Sequence, residues 1–393
     1  MKKIVIAYSG GLDTSYCAVH FSEDLGYEVH AVTVNTGGFS ELDIKDIENK
    51  AYQMGVKTYV NIDAVDHYYQ NVVKYLIYGN VLKNNTYPLS VSAERSIQAV
   101  EIIKYAKKIN ADYVAHGSTG AGNDQVRFDL IFRSLAPDIE IITPIRDNKL
   151  SRQQEIAYLQ SKGIDMSWSK AKYSINKGLW GTSIGGSETL TSYKSLPNEA
   201  YPSQLEKKGS EKVKLTFYKG ELVAVNEEKA SPQICIEKLN ELASKYAIGR
   251  DIHVGDTIVG IKGRVGFEAA AAIITIKAHH LLEKHILTKW QLQHKEYLSN
   301  WYGTHMHEGL FLDPIMRDFE AFLENSQQNV SGDVFITLQP YHFVLDGVVS
   351  KNDLMNTTFG SYGEENKGWS AEEVKGFIKI YSNQSIIFQN THK

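Results

Sequence analysis

The stretch KIVIAYSGGLDTS, residues 3–15, is an apolar run that stops at two glycines, an aspartate and a cluster of hydroxyls, just ahead of a helix-like segment. A plain turn needs one glycine and one aspartate. Ser9, Thr14 and Ser15 add donors beyond that need, and Gly10 and Gly11 allow another group to approach the backbone closely. A strand that enters a helix through such a junction presents free N–H groups and a partial positive charge, which suits phosphate. No lysine follows the second glycine, so the loop is not of the Walker A type. The residues alone leave a second reading open, a glycine turn in which Thr14 or Ser15 caps the helix.

From this junction outward, the first ~165 residues alternate strand and helix signals, an α/β pattern. Apolar runs fall at KIVIAY, EVHAVTV, KTYVNI, DYVAHG and IEIITPI, with helical stretches between them. In the stretch from Glu94, Ile97, Val100, Ile103 and Ala106 recur at helical spacing. Mostly buried parallel strands under helices are the economical arrangement. The pattern changes after Gly163. The stretch MSWSKAKYSINKGLWGTSIGGSETLTSYKSLPNEAYPSQ is rich in Gly, Ser and Thr and reads as a long loop. A hairpin is predicted from Lys212, turning at Lys219-Gly220, with Val213, Leu215 and Phe217 on one face. Helices are predicted near 232–248 and, as one long element, over 268–302, with a strand pair near 333–347. The predicted domains are 1–165 for nucleotide binding, 166–370 for a second α+β domain, and a short C-terminal segment, 371–393, for oligomerisation.

Composition narrows the class. The chain has 393 residues, 42% of them hydrophobic, enough for sizeable cores. Its 42 basic and 46 acidic residues give a net charge of −4, which argues against a broad nucleic-acid surface. Two distant cysteines, Cys17 and Cys235, make neither a CxxC pair nor a disulfide framework. The apolar start is short and soon glycine-rich, unlike a signal peptide, and no run approaches the roughly 18 residues of a membrane span. The expectation is a soluble, cytoplasmic protein without a membrane partner. Cys17 is expected to be a small core residue. His279, His280, His285, His305 and His307 lack the HExxH spacing and read as helix-surface histidines, so no bound structural metal is expected.

A second motif, HGSTGAGNDQVRFD at 116–129, packs Thr119, Asn123, Asp124, Gln125 and Arg127 among three glycines. Asparagine donates and accepts at once, aspartate holds an ammonium, and arginine grips a carboxylate with two parallel bonds. Such a set suits an amino acid held by both ends. The alternative, a glycine loop feeding a helix, leaves Gln125 and Arg127 without a purpose.

SGGLDTS resembles the pyrophosphate loop of the N-type ATP pyrophosphatases, which have the adenine nucleotide alpha hydrolase-like fold and cleave ATP between the α and β phosphates. HGSTGAGNDQVRFD, NTYPLSVSAER (85–95), LAPDIEIITPIRD (135–147), KYSINKGLWGTS (172–183) and VGIKGRVGFE (259–268) together resemble the argininosuccinate synthase family, in order and along most of the chain. That resemblance implies ligation of citrulline to aspartate with ATP, through an adenylated ureido oxygen, with Mg²⁺ as counter-ion, in a homotetramer. It implies that Ala7, Tyr8, Ser9, Gly10, Gly11, Leu12, Asp13, Thr14 and Ser15 cradle ATP, and that Val34 and Gly117 meet the adenine through their backbone. Thr119, Asn123 and Asp124 would bind aspartate. Tyr87, Ser92, Asn123, Arg127, Ser174 and Ser183 would bind citrulline, with Arg95 a further candidate for a substrate carboxylate. Asp13, Asp124 and Arg127 would carry the chemistry.

Three departures from the family pattern stand out. Ala121 replaces a lysine. Gly255 replaces a glutamate and Phe267 a tyrosine, both of which face the α-amino end of citrulline in the family. Either Asp256 takes over the glutamate's role, or the acceptor is an N-acylated (succinyl or acetyl) citrulline whose succinyl carboxylate meets Lys262 or Arg264. Two rival functions use the same ATP loop, an RNA-modifying enzyme and a nucleotide-binding regulator. The first lacks its basic surface and cysteine pair here, and the second has no need of Asn123, Asp124 and Arg127.

Overall fold

The computed structural model describes residues 1–166, 172–360, 362–363 and 366–392. The opening run forms β1 (Lys3–Ala7), the middle strand of a five-stranded parallel sheet. With β2 (Glu28–Asn35), β3 (Thr58–Asp63), β4 (Tyr113–His116) and β5 (Glu140–Ile142), the order is β3-β2-β1-β4-β5. Ile4, Val5, Ile6, Val114 and Ala115 are fully buried, because helices cover both faces. The intervening helices are α1 (Leu12–Val19), α2 (Glu41–Gln53), α3 (Val65–Tyr68), α4 (Lys74–Tyr78), α5 (Glu94–Lys108), α6 (Asp124–Leu135), α7 (Pro144–Asp147) and α8 (Arg152–Ser161). The stripe of Ile97, Val100, Ile103 and Ala106 on α5 is buried, as its spacing predicts. The run IEIITPI yields less strand than predicted. β5 ends at Ile142, because Pro144 has no N–H for the ladder and starts α7 instead.

The second half holds two antiparallel sheets. One contains β6 (Ser174–Gly178), β7 (Gly181–Gly185), β11 (Arg250–Asp256) and β12 (Lys262–Glu268), in the order β11-β12-β7-β6. The other contains β8 (Glu211–Tyr218), β9 (Glu221–Val225), β10 (Glu228–Lys229), β13 (Gly332–Gln339) and β14 (His342–Val349), in the order β10-β9-β8-β13-β14. The hairpin predicted at Lys219-Gly220 is present, and Val213, Leu215 and Phe217 are buried against α9 (Pro232–Ser244), α10 (Ala270–Ile286) and their neighbours. The predicted loop after Gly163 is corrected in part. It contains the β6–β7 hairpin, held as strand by pairing with β12 and by burial of Leu179 and Trp180 rather than by its own composition. Residues 167–171 of that stretch lie outside the described residues.

The long helix predicted over 268–302 is two helices, α10 and α11 (Lys289–His307). Leu287 is extended, and Thr288 caps α11 by accepting from the Gln291 N–H while Gln291 reaches back, a reciprocal box that restarts the helix. Thr288→Ala is expected to cost about 1 kcal/mol, read as a lower denaturant midpoint with unchanged helix content.

His279 is not on the surface, contrary to the expectation for this group of histidines. It is fully buried on α10, with Nδ1 2.6 Å from Asn80 Oδ1 and Nε2 2.8 Å from Gln327 Oε1. The amide nitrogens of Asn80 and Gln327 donate to Glu283, which pairs at 3.0 Å with Lys295 of α11. Lys295 also donates to the Tyr78 carbonyl. This dry network ties α10, α11, the end of α12 (Pro314–Ser326) and the turn after α4 together. The chain ends in α13 (Ala371–Tyr381) and α14 (Asn383–Thr391), neither of which buries a residue. Among the described residues no helix is long and apolar enough to cross a membrane.

Candidate active site

The sheet order reverses around β1, which pairs with β2 on one side and β4 on the other. The loops that leave β1 and β4 therefore diverge and open a crevice at the strands' carboxyl ends, where open α/β sheets bind ligands. The first loop is Tyr8–Gly11. Gly11 is the N-cap of α1 and brings no side chain, so the alternative reading of a Thr14 or Ser15 cap is not realised. Thr14 instead donates to the Gly11 carbonyl at 3.2 Å and lies 3.4 Å from the Ser9 hydroxyl, while Ser15 sits 3.4 Å from the Tyr8 hydroxyl. Ser9 and Gly11 are exposed. Val34 ends β2 beside this loop, and Gly117 lies against Asp13 across the crevice.

Asp13 faces a carboxyl that sequence reasoning missed. Glu155 on α8 is buried, its Oε2 has no partner among the described residues, and burial followed by the charge of Asp13 pushes its pKa up to about 8. The segment SRQQEIAYLQ reads as an ordinary surface helix, so no sequence signal marks it. The folded state binds this proton more tightly than the unfolded chain. The stability it contributes is thus present below the unfolded carboxyl range and is lost as pH rises through about 8. Glu155→Gln is expected to flatten the fall in stability between neutral pH and pH ~9; an unchanged pH profile of unfolding would refute the assignment.

The second loop leads into α6. Asp124 accepts from Arg95 Nε at 2.9 Å and Arg127 Nη1 at 2.8 Å, and those two cations hold it well below the usual carboxylate range against the opposing effect of burial. Arg127 is buried and turns Nε and Nη2 on the His307 carbonyl, at 3.0 and 2.9 Å. Gln125 donates to the carbonyls of Gly120 and Gly122. The expectation that Gln125 and Arg127 lack a purpose within the fold is therefore corrected, since each ties a loop down. Asn123 Oδ1 accepts from the Ile258 N–H in the β11–β12 turn, at 2.9 Å. Thr119 and Ala121 are exposed on the loop. Arg95 also binds Glu94, Gln98 and Asn176. Glu94 is buried and hydrogen-bonded by Thr36, and burial pushes it up to about 7.

Strand register gathers the remaining candidates. Phe267 pairs with Ser183, and Ser183 with Asn176, while Ser174 pairs with Gly185 and Gly255 with Gly263. Side chains alternate along a strand, so Ser174, Ser183, Gly255 and Phe267 share one face of the sheet, together with His253 and Asn176. Tyr87 packs on that face, its ring 5.3 Å from Phe267 and 5.1 Å from His253. Ser92, in the turn before α5, is buried with an unpartnered hydroxyl. Asp256 points the other way in an exposed pair with Lys262, and Arg264 donates to the carbonyls of Glu188, Thr191 and Lys194. His253, His307 and Asn176 were not singled out for substrate; isolated histidines and an asparagine carry no spacing signal of their own.

Residues 3–165 match the family model described as "Arginosuccinate synthase N-terminal HUP domain", and residues 173–388 match "Arginosuccinate synthase C-terminal domain". Curated relatives named argininosuccinate synthase include that of Methanocaldococcus jannaschii, 36% identical over 99% of this chain and 98% of its own. Others are that of Sulfurisphaera tokodaii, at 36% over 98% of each chain, and that of Pyrococcus furiosus, at 37% over 99% of this chain and 94% of its own.

Proposed function

The chain belongs to the argininosuccinate synthase family, and we propose that it joins citrulline to aspartate at the expense of ATP, forming argininosuccinate for arginine biosynthesis. The ureido oxygen of citrulline attacks the α-phosphorus of ATP and the bond to pyrophosphate breaks. The amine of aspartate then attacks the ureido carbon, loses a proton, and AMP departs with the oxygen. A ureido carbonyl is a poor electrophile until adenylated, so holding three substrates in line supplies much of the catalysis.

In this reading Ala7–Ser15 cradle the triphosphate at the start of α1, and the backbones of Val34 and Gly117 meet the adenine. Thr119, Asn123 and Asp124 take aspartate, while Tyr87, Ser92, Arg127, Ser174 and Ser183 line the citrulline side with Asn123. Mg²⁺ enters on the phosphates of ATP. Among the described residues no group of three or more His, Cys, Asp or Glu could cage a metal, which suits a cation carried in by the substrate. An N-acylated acceptor is not favoured. The relatives are named for argininosuccinate itself, and Arg264 and Lys262, the cations a succinyl group needs, are engaged elsewhere.

The similarity over 99% of the chain carries the reading. Its test is release of pyrophosphate and AMP from ATP by the purified protein. Release should require citrulline and aspartate together; release driven by tRNA, or ATP binding with no pyrophosphate for any substrate pair, would overturn it. Asp13→Ala should abolish that release with the fold intact.

The domain division at about 165 and 370, a cytoplasmic location and a homotetramer belong to the same proposal. Phe377, Ile378, Ile380, Tyr381, Ile386, Ile387 and Phe388 are all more than half exposed on α13 and α14, a cost that association would remove. Deleting residues 371–393 is expected to yield smaller particles by light scattering.

A further inference from the structure

The two guanidiniums that sequence reasoning offered to a substrate carboxylate are both committed. Arg127 is spent on the His307 carbonyl and Asp124, and Arg95 on Glu94, Asp124, Gln98 and Asn176. The carboxylate of the acceptor amino acid therefore needs other donors. They stand at the far end of the same sheet face, on the turn that carries Tyr87.

That turn is closed by backbone bonds between Lys83 and Tyr87, so Lys83, Asn84 and Tyr87 move as one unit. Lys83 donates to the Thr304 hydroxyl at 2.9 Å, and among the described residues no carboxylate pairs with it. Asn84 uses one amide proton on the Val254 carbonyl, at 3.1 Å, and keeps a second. The His253 ring stacks on Tyr87 and is buried. Neither of its nitrogens has a hydrogen-bond partner among the described residues, and Nδ1 is sealed from solvent. A buried polar atom without a partner costs roughly 1–3 kcal/mol, so its persistence points to a ligand.

Gly255 completes the arrangement. A β-carbon there would stand 2.5 Å from His253 Nε2 and 3.3 Å from Asn84 Nδ2. No side chain at position 255 can coexist with the imidazole as placed. The space above Gly255 is bordered by two nitrogen donors and lies near an ammonium. Burial and then Lys83 hold His253 below its ordinary range, so at neutral pH it is an uncharged imidazole able to donate from one nitrogen. A group rich in donors and positive charge repels the α-ammonium that a glutamate at 255 would attract.

We propose that Lys83, Asn84 and His253 form the seat of the acceptor's α-carboxylate, in the space that Gly255 leaves open. This rests on the reading of the chain as a citrulline–aspartate ligase. It reverses the polarity expected at that end of the site, where the family pattern addresses the amine.

The test is KM for citrulline, its α-carboxamide and its des-amino analogue, with ATP and aspartate saturating, in wild type, Lys83→Met and His253→Phe. His253→Phe keeps the ring against Tyr87, and Lys83→Met keeps the stem, so fold loss is checked by thermal melting and by KM for ATP. In wild type the carboxamide should bind about 10-fold or more weaker than citrulline, while the des-amino analogue stays within about 3-fold. Each variant should raise KM for citrulline about 10-fold, leave KM for ATP unchanged, and shrink the penalty on the carboxamide. A wild type that rejects the des-amino analogue and accepts the carboxamide overturns the seat. So do variants that keep the full preference for carboxylate. If wild type releases pyrophosphate with none of the three, the ligase reading itself falls, a result distinct from a misplaced seat.

Discussion

Gly38→Ala should destabilise the protein by about 3 kcal/mol and reduce kcat/KM about 100-fold while leaving secondary structure content unchanged. A β-carbon at position 38 would stand 1.8 Å from the Lys177 carbonyl oxygen and 2.6 Å from its carbon, both backbone atoms of β6 that cannot rotate away. The neighbouring Gly37 has φ +93° and presses on Leu179, whose N–H donates to the Thr36 carbonyl at 2.9 Å. Here the loop after β2 docks against the β6–β7 hairpin. Displacing that hairpin would move Ser174, Asn176 and Ser183 relative to the loops that follow β1 and β4. Overpacking against backbone falls at the upper end of the usual range because no side chain can repack. Urea unfolding and steady-state kinetics on the same preparation measure both effects. Wild-type stability would show that the seam between β2 and β6 is not as tight as described, and wild-type activity would show that it does not position the site.

Lys295→Ala should cost about 3–5 kcal/mol with little direct effect on substrate binding. Lys295 and Glu283 are each about 1% exposed or less, and neither charge has water to fall back on. Removing the ammonium leaves a buried carboxylate held only by the amides of Asn80 and Gln327. The companion double variant, Lys295→Met with Glu283→Leu, should recover part of the loss but not all. Asn80 and Gln327 then lose the acceptor for their N–H groups, at roughly 1–3 kcal/mol each. Denaturant unfolding of the two single variants and the double gives the coupling directly. Additive losses would mean that the pair does not act as a unit.

Much of this protein was legible from its sequence, and the reasons are local. KIVIAYSGGLDTS declared a buried parallel strand, a junction without a Walker lysine and a helix start, because burial on both faces leaves an unbroken apolar run. The 3.6-residue stripe on α5 and the two-residue alternation in β8 were equally plain, since each follows from one element facing one core. The joint occurrence of five motif segments was specific enough to place the chain in its family. Failures came where a neighbour decides. β6 and β7 are strands because β12 supplies their hydrogen bonds, which nothing in a Gly/Ser-rich segment announces. α10 and α11 separate because the Thr288 box outweighs a continuous helical pattern. His279 is interior because Asn80, Glu283 and Gln327 come to it from distant segments.

By itself, therefore, the sequence determined the strand and helix periods, the phosphate-suited junction after β1, and the residue types that the reaction requires. Only the tertiary structure decided which donors are free to act. Arg95 and Arg127 looked available from their motifs, yet both are spent on Asp124 and neighbouring groups. Glu155 came to face Asp13, and His253 came to face Tyr87, through packing of helices and pairing of strands far apart in the chain. Hydrogen-bond capacity is a property of residue type, but its allocation depends on which groups the fold brings within about 3 Å.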